Sequence, residues 1–406
     1  MKKVCVIGLN YAPEDSGTGL YTTEMCEYLS KKFEIEVVTG YPYYPEWRIR
    51  DAYKSKTGIL NEVINGVKVN RVKQYVPEKV NPFNRLYHYW DFYKKALDVC
   101  KIKEIDVAIV VLPNIFLLNL GAKLKKQYPN IKIWAHVQDF EIDAGLETLK
   151  GVKKVPLFAK SLYGIERKLF SKFDVVSTIS DGMIDKLLEK KVEKEKTYFF
   201  PNWADIDSLY PLKKSSYREK LGLNEKFVVM YSGNIGGKQD WETVIAGIEK
   251  LKENTEIHFV VAGDGNKGTY VKERLKDLKN VTILPLQPKD KLNEFLNLGD
   301  LHIIPQKKDA QDSFMPSKLL GIKATGKAVF CLANQNSTVY QVVKNNDIGY
   351  VLDENSYEFF TDKIIEIKEC KERINKGLKA RKYVVENYKY KSVMEKLITK
   401  IKSVSE

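Results

Sequence analysis

The sequence predicts two successive α/β domains, each built on a doubly wound parallel sheet. Short apolar runs alternate with longer amphipathic stretches along the 406 residues, and strands flanked by helices indicate a parallel sheet covered on both faces. The alternation occurs twice, on either side of a segment rich in Pro, Asn and Asp at 199–214. Apolar residues make up 44% of the chain, which is enough for two cores.

The first half begins with a short apolar run after two lysines. That run is too short for a signal peptide and lacks a cleavage site, so it is interpreted as a strand. The predicted strands are Val4–Gly8, Glu36–Thr39, Val67–Val72, Val107–Leu112, Ile131–Val137 and Val175–Ile179. The amphipathic stretches predicted as helices include Leu20–Lys32, Tyr89–Lys101 and Ile115–Lys126.

The second half repeats the pattern. Its predicted strands are Phe227–Tyr231, Ile257–Ala262, Val281–Leu284, Leu301–Ile304, Ala328–Cys331 and Gly349–Leu352. The stretch Val385–Val404 is predicted to be one basic helix. We therefore expect an N-terminal domain at 1–200, a second at 201–385 and a helix at 386–406 that packs back on the first.

Composition excludes several classes of protein. The net charge is +14 and is shared by both halves, which favours anionic partners without indicating a basic tail. The five cysteines lie far apart, so neither a disulfide framework nor a zinc site of the CxxC type is expected. The four histidines include no pair at metal-ligand spacing, and no apolar stretch is long enough to cross a bilayer. We expect a cytoplasmic protein without a metal.

The loop after the first strand ends in Gly17 and Gly19, at the start of a helix. Amide groups at a helix N-terminus suit a phosphate, whereas a turn that only reverses the chain is the alternative. The third glycine of a dinucleotide-binding loop is replaced by Thr22, which argues against a nicotinamide cofactor.

Four loops in the second half follow strand ends and are expected to line one rim of one sheet. They are 231–239 with Lys238, 260–265 with Gly263 and Gly265, 284–288 with Leu286 and Gln287, and 309–320 with Ser317 and Lys318. Glycines and lysines next to helix starts suit a diphosphate, although each loop alone could be purely structural.

A run of polar residues follows the predicted strand Ile131–Val137. It contains His136, Gln138, Asp139, Glu141 and Asp143. Such a run at the carboxyl end of a parallel strand is poorly explained by packing, so we expect an active-site segment. A satisfied core histidine is the alternative for His136.

Residues 68–103 combine nine basic residues and three acidic ones with interleaved aromatic residues, which include Phe83, Tyr87, Tyr89, Trp90, Phe92 and Tyr93. Basic residues interleaved with aromatics suit the surface of an anionic membrane. An ordinary solvated helix with its aromatic residues in the core is the alternative.

The loops in this order resemble glycosyltransferase family 4, the retaining, nucleotide-sugar-dependent enzymes of the GT-B fold. The likeness runs from Val4 to about Asn387, and within the family it is greatest to bacterial enzymes of the colanic-acid fucosyltransferase and O-antigen N-acetyl-L-fucosamine transferase type. The segments that carry it include YAPEDSGTGLYTTEM (11–25), TGYPYYPEW (39–47), HVQDFEID (136–143), FPNWADID (200–207), YSGNIGGKQ (231–239), VVAGDG (260–265) and PSKLLGIKATGKAV (316–329).

The resemblance implies two Rossmann-like domains that face a central cleft and hold a UDP- or GDP-linked sugar. The residues it assigns to the donor are Gly17, Gly19, Asn234, Lys238, Gly263, Gly265, Leu286, Gln287, Ser317 and Lys318. Many members carry Arg where this chain has Asn234, and a Glu pair where it has Ser313 and Gly321. Many also carry a catalytic histidine at the position of Gln138, so either His136 or Asp139 is expected to contact the sugar.

The implied reaction is retaining transfer of an L-fucose-like or N-acetylated 6-deoxyhexose to a polyprenyl-diphosphate-linked saccharide, in capsule, exopolysaccharide or O-antigen synthesis. The enzyme would lie on the cytoplasmic face of the membrane, with residues 68–103 as the contact. Two alternatives remain: a nucleotide-sugar epimerase of the same fold, and a non-catalytic basic protein that binds a membrane or a nucleic acid. No nucleic-acid-binding motif is found, so no nucleic acid is expected as a partner.

Overall fold

The computed structural model describes residues 1–15, 17–100, 105–112, 114–143, 155–308, 317–354 and 356–406. The chain forms two compact units. One comprises Met1–Pro201 with Met394–Glu406, and the other comprises Asn202–Val393. Within the described ranges, none of the helices combines the length and apolar character that a membrane crossing requires.

The first unit contains one eight-stranded sheet. Its strands are β1 (Lys3–Ile7), β2 (Glu34–Gly40), β3 (Ile59–Ile64), β4 (Val67–Val72), β5 (Val107–Leu112), β6 (Lys132–Val137), β7 (Val175–Thr178) and β8 (Thr197–Phe199). Its described helices are α1 (Gly17–Leu29), α2 (Asp51–Lys54), α3 (Pro82–Val99), α4 (Ile115–Gln127), α5 (Val155–Phe170) and α6 (Asp181–Glu189).

The strand order in this sheet is β3-β4-β2-β1-β5-β6-β7-β8, and only the β3–β4 pair is antiparallel. The central strands are continuous apolar runs because helices cover both faces, and all six residues of β5 are buried. The order reverses between β1 and β5, which places the topological switch point at their carboxyl ends.

Polar side chains begin several of the helices that follow these strands. The side chain of Asn81 accepts a hydrogen bond from the amide of Asn84 at the start of α3, and that of Asn114 accepts one from Leu117 at the start of α4. Such caps satisfy amides that have no partner within the helix. They fix where each helix begins relative to the strand end before it.

The second unit contains a six-stranded, entirely parallel sheet. Its strands are β9 (Phe227–Ser232), β10 (Ile257–Ala262), β11 (Val281–Leu284), β12 (Leu301–Pro305), β13 (Ala328–Leu332) and β14 (Gly349–Leu352). Its helices are α7 (Ser216–Lys220), α8 (Trp241–Lys250), α9 (Gly268–Leu275), α10 (Leu292–Leu296), α11 (Ser317–Ala324), α12 (Thr338–Asn345), α13 (Tyr357–Glu369) and α14 (Glu372–Asn387). Short 3-10 turns lie at Lys194–Lys196 in the first unit and at Lys289–Lys291 in the second.

The strand order in the second sheet is β11-β10-β9-β12-β13-β14. This is the order typical of a dinucleotide-binding fold, with its switch point between β9 and β12. Apolar residues on both faces of the sheet form separate clusters against the helices. The predicted parallel sheets covered on both faces are confirmed.

Two strands, β3 and β8, were not predicted from the sequence because neither contains a fully buried residue. Strand β3 is an edge strand whose residues alternate between exposed and half-buried, and its six residues include two strongly exposed apolar ones. It pairs with β4 through a tight turn at Asn65 and Gly66, both of which have positive φ. Strand β8 has only three residues, all half-buried.

The prediction of one helix over Val385–Val404 is wrong. Helix α14 ends at Asn387, and a separate helix, α15 (Tyr390–Val404), follows. The backbone between the two helices pairs with Ala204 and does not continue the helix. The amide of Ala204 donates to the carbonyl of Tyr388 at 2.9 Å, and Lys389 forms a parallel β-bridge with Ala204. Farther along α15, Glu395 accepts a hydrogen bond from the hydroxyl of Tyr28 at 2.6 Å.

Candidate functional site

The loops after β9 and β12 are joined at the switch point of the second sheet. The amide of Asp240 donates to the carbonyl of Pro305 at 2.9 Å, and that of Lys307 donates to the carbonyl of Lys238 at 3.1 Å. Gln239 and Gln306 form an antiparallel bridge between them. The backbone of Lys238 is therefore fixed at the edge where ligands bind in such sheets, and its side chain is exposed.

Lys318, in the first turn of α11, reaches the loop after β9. Its ammonium lies 4.0 Å from the centroid of the Tyr231 ring. A Cβ atom on Gly233 would lie 3.3 Å from Lys318 Cδ, so the glycine leaves room for the lysine stem. Burial lowers the pKa of Lys318 to about 7. At pH 7 the Lys318 amine is therefore only partly protonated in the free protein. An anion bound beside it would favour the protonated form.

Gly263 and Gly265 bring the loop after β10 against the same place. Both have positive φ, and an added Cβ would lie 1.8 Å from the carbonyl oxygen of Gly233 and 2.3 Å from Asn234 Oδ1, respectively. No side chain can be accommodated at either position, so the two loops touch backbone to backbone. The structure thus brings Asn234, Gly263, Gly265 and Lys318 together. This agrees with the expectation that the loops carrying them line one rim of the second sheet.

The remaining residues proposed for the donor lie around this centre. The amide of Gly263 donates to the carbonyl of Leu284 at 3.3 Å, which ties the loop containing Leu286 and Gln287 to the same strand end. Leu286 is 61% exposed, and Gln287 accepts a hydrogen bond from the hydroxyl of Tyr217 at 2.7 Å. Ser317 begins α11, but its side chain and the positions 309–316 lie outside the described residues.

In the first unit, a buried carboxylate organises the glycine loop. Glu14 is 2% exposed and accepts hydrogen bonds from the amides of Tyr43 and Tyr44 at 2.7 and 2.8 Å and from Asn10 Nδ2 at 2.8 Å. Burial raises the pKa of Glu14, and these donors oppose the increase. Sequence analysis did not single out Glu14, since one acidic residue in a loop gives no signal of its buried partners.

The two glycines of this loop occupy different positions on α1. Gly17 is exposed at the first residue of the helix and has a φ of +55°, a conformation that residues with a side chain rarely adopt. Gly19 is buried, and an added Cβ would lie 3.0 Å from Glu14 Cβ and 3.3 Å from the Glu14 carbonyl oxygen. The second glycine therefore serves the packing of the loop.

His136 is buried at the carboxyl end of β6. The residue is 3% exposed. Its Nδ1 atom lies 2.9 Å from Ser177 Oγ, and its Nε2 atom lies 2.7 Å from Gln138 Nε2. The ring packs against Phe200, with 4.7 Å between the centroids. Desolvation lowers the pKa of His136 to about 3, so the ring is neutral at pH 7 and a weak base.

Asp139 is half-buried just beyond the strand, and the charge of this residue acts on Glu141 two residues later. Burial raises the pKa of Glu141 to about 7, with Asp139 adding to the increase and Arg85 opposing it. Glu141 Oε1 lies 2.8 Å from Arg85 Nη2. The run of polar residues therefore contains a second carboxyl group with a perturbed pKa, whose partner on α3 could not be identified from sequence.

The basic segment 68–103 is not one surface. Arg71 is fully buried and donates to the carbonyls of Gly40 and Ala12 and to Glu62, so it has a structural role. Helix α3 buries Tyr89, Phe92 and Tyr93. The large apolar side chains that α3 exposes are Phe83, Leu86, Tyr87 and Trp90, at 83%, 52%, 51% and 40%. Lys101 and Lys103 lie outside the described residues.

The comparisons with known proteins assign the family. Residues 213–389 match the family model for glycosyl transferases group 1, and residues 16–203 match that for a glycosyl transferase 4-like domain. WcaI of Escherichia coli (strain K12), named as a colanic acid biosynthesis glycosyl transferase, is 35% identical over 334 residues, or 80% of this chain and 81% of that protein. The chain belongs to glycosyltransferase family 4.

The solved structures agree on the fold of this glycosyltransferase. Sucrose-phosphate synthase from Thermosynechococcus elongatus is 13% identical with a TM-score of 0.74, covering 100% of this chain and 99% of that one. HepE from Anabaena, in complex with UDP and glucose, is 12% identical with a TM-score of 0.70, covering 99% and 100%. At these identities the likeness shows the GT-B fold alone, and the predicted fold class is confirmed.

Proposed function

We propose that this glycosyltransferase moves a sugar, with retention of configuration, from a UDP- or GDP-linked donor to a polyprenyl-diphosphate-linked saccharide during synthesis of a capsule, exopolysaccharide or O-antigen. The observation that carries the donor half is the meeting of Lys318, Gly233 and the Gly263–Gly265 loop at the switch point of the second sheet. A half-buried lysine beside amide-rich loops suits a diphosphate. The UDP seen in HepE and the name of WcaI support the donor and the pathway, respectively.

The proposed mechanism relies on charge and position. In same-face attack the departing phosphate helps to deprotonate the acceptor hydroxyl, and the enzyme must stabilise the charge that develops on the leaving diphosphate. Lys318 and Lys238 would supply that stabilisation. Asp139 would contact the acceptor hydroxyl or the transferred sugar, because His136 has both ring nitrogens within hydrogen-bond distance of protein groups.

The decisive test is a screen of nucleotide sugars with a short prenyl-diphosphate-linked monosaccharide as acceptor. Products are detected by the mass increase of the acceptor. We expect one or a few UDP- or GDP-sugars, of L-fucose or N-acetylated 6-deoxyhexose type, to add one residue. Conversion of the nucleotide sugar itself, with no change in the acceptor, would instead support the epimerase alternative.

Transfer is expected to continue in excess EDTA. Among the described residues no group of three or more His, Cys, Asp or Glu side chains could hold a metal, and lysines can offset the phosphate charge. The rate with EDTA is compared with the rate after addition of Mg²⁺ or Mn²⁺. Complete loss of transfer in EDTA, restored by either metal, would contradict the proposed mechanism.

The exposed face of α3 is the proposed contact with the membrane. Phe83 and Trp90 can insert at the headgroup level, and nearby exposed Lys94 can pair with anionic lipids. Each basic residue near such a surface contributes about 1 kcal/mol. The exposed aromatic side chains and Lys94 are therefore proposed to place the enzyme on the cytoplasmic face of the membrane.

Binding to vesicles that contain phosphatidylglycerol is expected to fall in Phe83→Ser and Lys94→Glu and to weaken with salt. Lys95 is left intact in this test, because it holds Asp91 at 2.7 Å and the carbonyl of Lys73 at 2.8 Å. Matched controls are Ile374→Ser and Lys213→Glu, which change exposed side chains of the second unit. Equal co-sedimentation of all four variants and the wild type would rule out the α3 contact.

A further inference from the structure

The loop after β6, which carries Asp139, is attached to α3 by a small polar network. Arg85 Nη2 lies 2.8 Å from Glu141 Oε1, and Arg85 Nε donates to the hydroxyl of Tyr89 at 2.7 Å. The Tyr89 hydroxyl in turn hydrogen-bonds Glu141. Two side chains one helical turn apart on α3 therefore hold one carboxyl group of the helical turn at 141–143, which directly follows the loop.

The same helical turn is also attached to α5 and to residues at the end of α6. Asp143 Oδ2 lies 2.7 Å from the ammonium of Lys190, which also contacts Glu166 on α5 at 2.6 Å. Lys186 lies 3.6 Å from Asp143 Oδ1. The helical turn at 141–143 is thus held at both Glu141 and Asp143, and Asp139 lies in the short loop between β6 and this turn.

The ion pair between Glu141 and Arg85 is expected to contribute little to the free energy of unfolding. The carboxyl group of Glu141 is only 24% exposed, and its raised pKa means that the charged form is disfavoured despite Arg85. Arg85 itself is 47% exposed, and exposed ion pairs contribute little to the free energy of unfolding. The arrangement does, however, fix where the short loop at 138–140 ends, since the Arg85 guanidinium and the Tyr89 hydroxyl both bind the carboxyl group of Glu141 directly after it.

We propose that Arg85 and Tyr89 are positioning residues that act through Glu141 to fix the loop carrying Asp139. This inference rests on the proposed function, because it takes Asp139 as the group that meets the acceptor or the sugar. A displacement of about 1 Å in such a group can cost about 100-fold in rate. The network lies entirely in the first unit, so it is expected to leave nucleotide binding in the second unit unchanged.

The test compares Arg85→Gln, Arg85→Lys and Tyr89→Phe with the wild type. The assay uses the nucleotide sugar that gives product in the screen and the short prenyl-diphosphate-linked monosaccharide. We expect kcat to fall at least tenfold in Arg85→Gln and less in Tyr89→Phe, with the KM for the nucleotide sugar and the Kd for its free nucleoside diphosphate unchanged. Arg85→Lys should recover part of kcat, because it keeps a charge opposite Glu141.

Arg274→Gln is the matched control. It removes an ion pair of equal length in the second unit, 2.8 Å from Glu249, with a similar exposure. Its kcat and melting temperature are expected to match those of the wild type. A wild-type kcat in both Arg85→Gln and Tyr89→Phe overturns the inference while the proposed function stands. Loss of kcat only in proportion to melting temperature, with no recovery in Arg85→Lys, also overturns it. Failure of the wild type to transfer any sugar overturns the proposed function and the inference with it.

Discussion

Replacing Asp139 by asparagine is expected to lower kcat by about 100- to 10,000-fold, the usual contribution of a positioned acid or base. The substitution keeps the size of the side chain and removes its charge. Asp139 lies half-buried beyond the end of β6, and its charge helps to raise the pKa of Glu141. Initial rates at saturating donor and acceptor, together with the melting temperature, check the expectation that activity is lost while the fold is kept.

His136→Ala is the companion variant, and it is expected to lose less activity and more stability. The ring fills space against Phe200 and is held by Ser177 and Gln138, so its removal leaves a cavity and unpaired polar groups. With a pKa of about 3, the histidine is a weak base at pH 7. Full activity in Asp139→Asn, with a stably folded but inactive His136→Ala, would reverse the assignment.

Replacing Lys318 by alanine is expected to lower kcat/KM by about 10- to 150-fold, because a charge-assisted hydrogen bond is worth about 1.5–3 kcal/mol. Lys318→Met keeps the aliphatic stem beside Tyr231 and Gly233, so the comparison of the two variants separates packing from charge. Binding of UDP and GDP by calorimetry should weaken in both. Activity and nucleotide affinity within twofold of wild type would remove Lys318 from the donor site.

A matched control lies on the same helix. Lys323 is fully buried whereas Lys318 is half-buried, and burial lowers the pKa of each to about 7. The ammonium of Lys323 lies 5.0 Å from the centroid of the Tyr383 ring. Lys323→Met therefore removes a cation with a similarly lowered pKa that does not face the Gly233 loop. We expect it to change the melting temperature without changing the Kd of the nucleotide.

The lowered pKa of Lys318 also predicts a pH dependence of nucleotide binding. Below pH 7 the lysine is charged in the free protein, whereas above pH 7 it must take up a proton when an anion binds. The affinity for UDP or GDP should therefore fall as pH rises above about 7, by up to about tenfold per unit. In Lys318→Met this decline should disappear, and an unchanged decline would contradict the role.

Most strands and helices could be predicted from the sequence because a buried strand or helix face requires apolar residues at regular, nearby positions. Strand β5 is six consecutive apolar residues and is visible in a short window of sequence. The prediction for α3 began at Tyr89 and missed its true start at Pro82, although Asn81 followed by proline is a local signal for a helix start. Glycines at strand ends likewise marked the loops at Gly233, Gly263 and Gly265. By contrast, the edge strand β3 left too weak an alternation, and the break at Tyr388 depended on a distant partner at Ala204.

The chain by itself determined two α/β domains and the loops that carry Lys318 and Asp139. Only the tertiary structure decided what those loops meet. The same local signal, a polar residue next to an apolar run, gave a buried and satisfied His136, a buried structural Arg71, and a Glu141 held by Arg85. The physical reason is that the cost of burying a polar group depends on partners brought from elsewhere in the sequence, and strand order, which no local pattern records, chooses those partners.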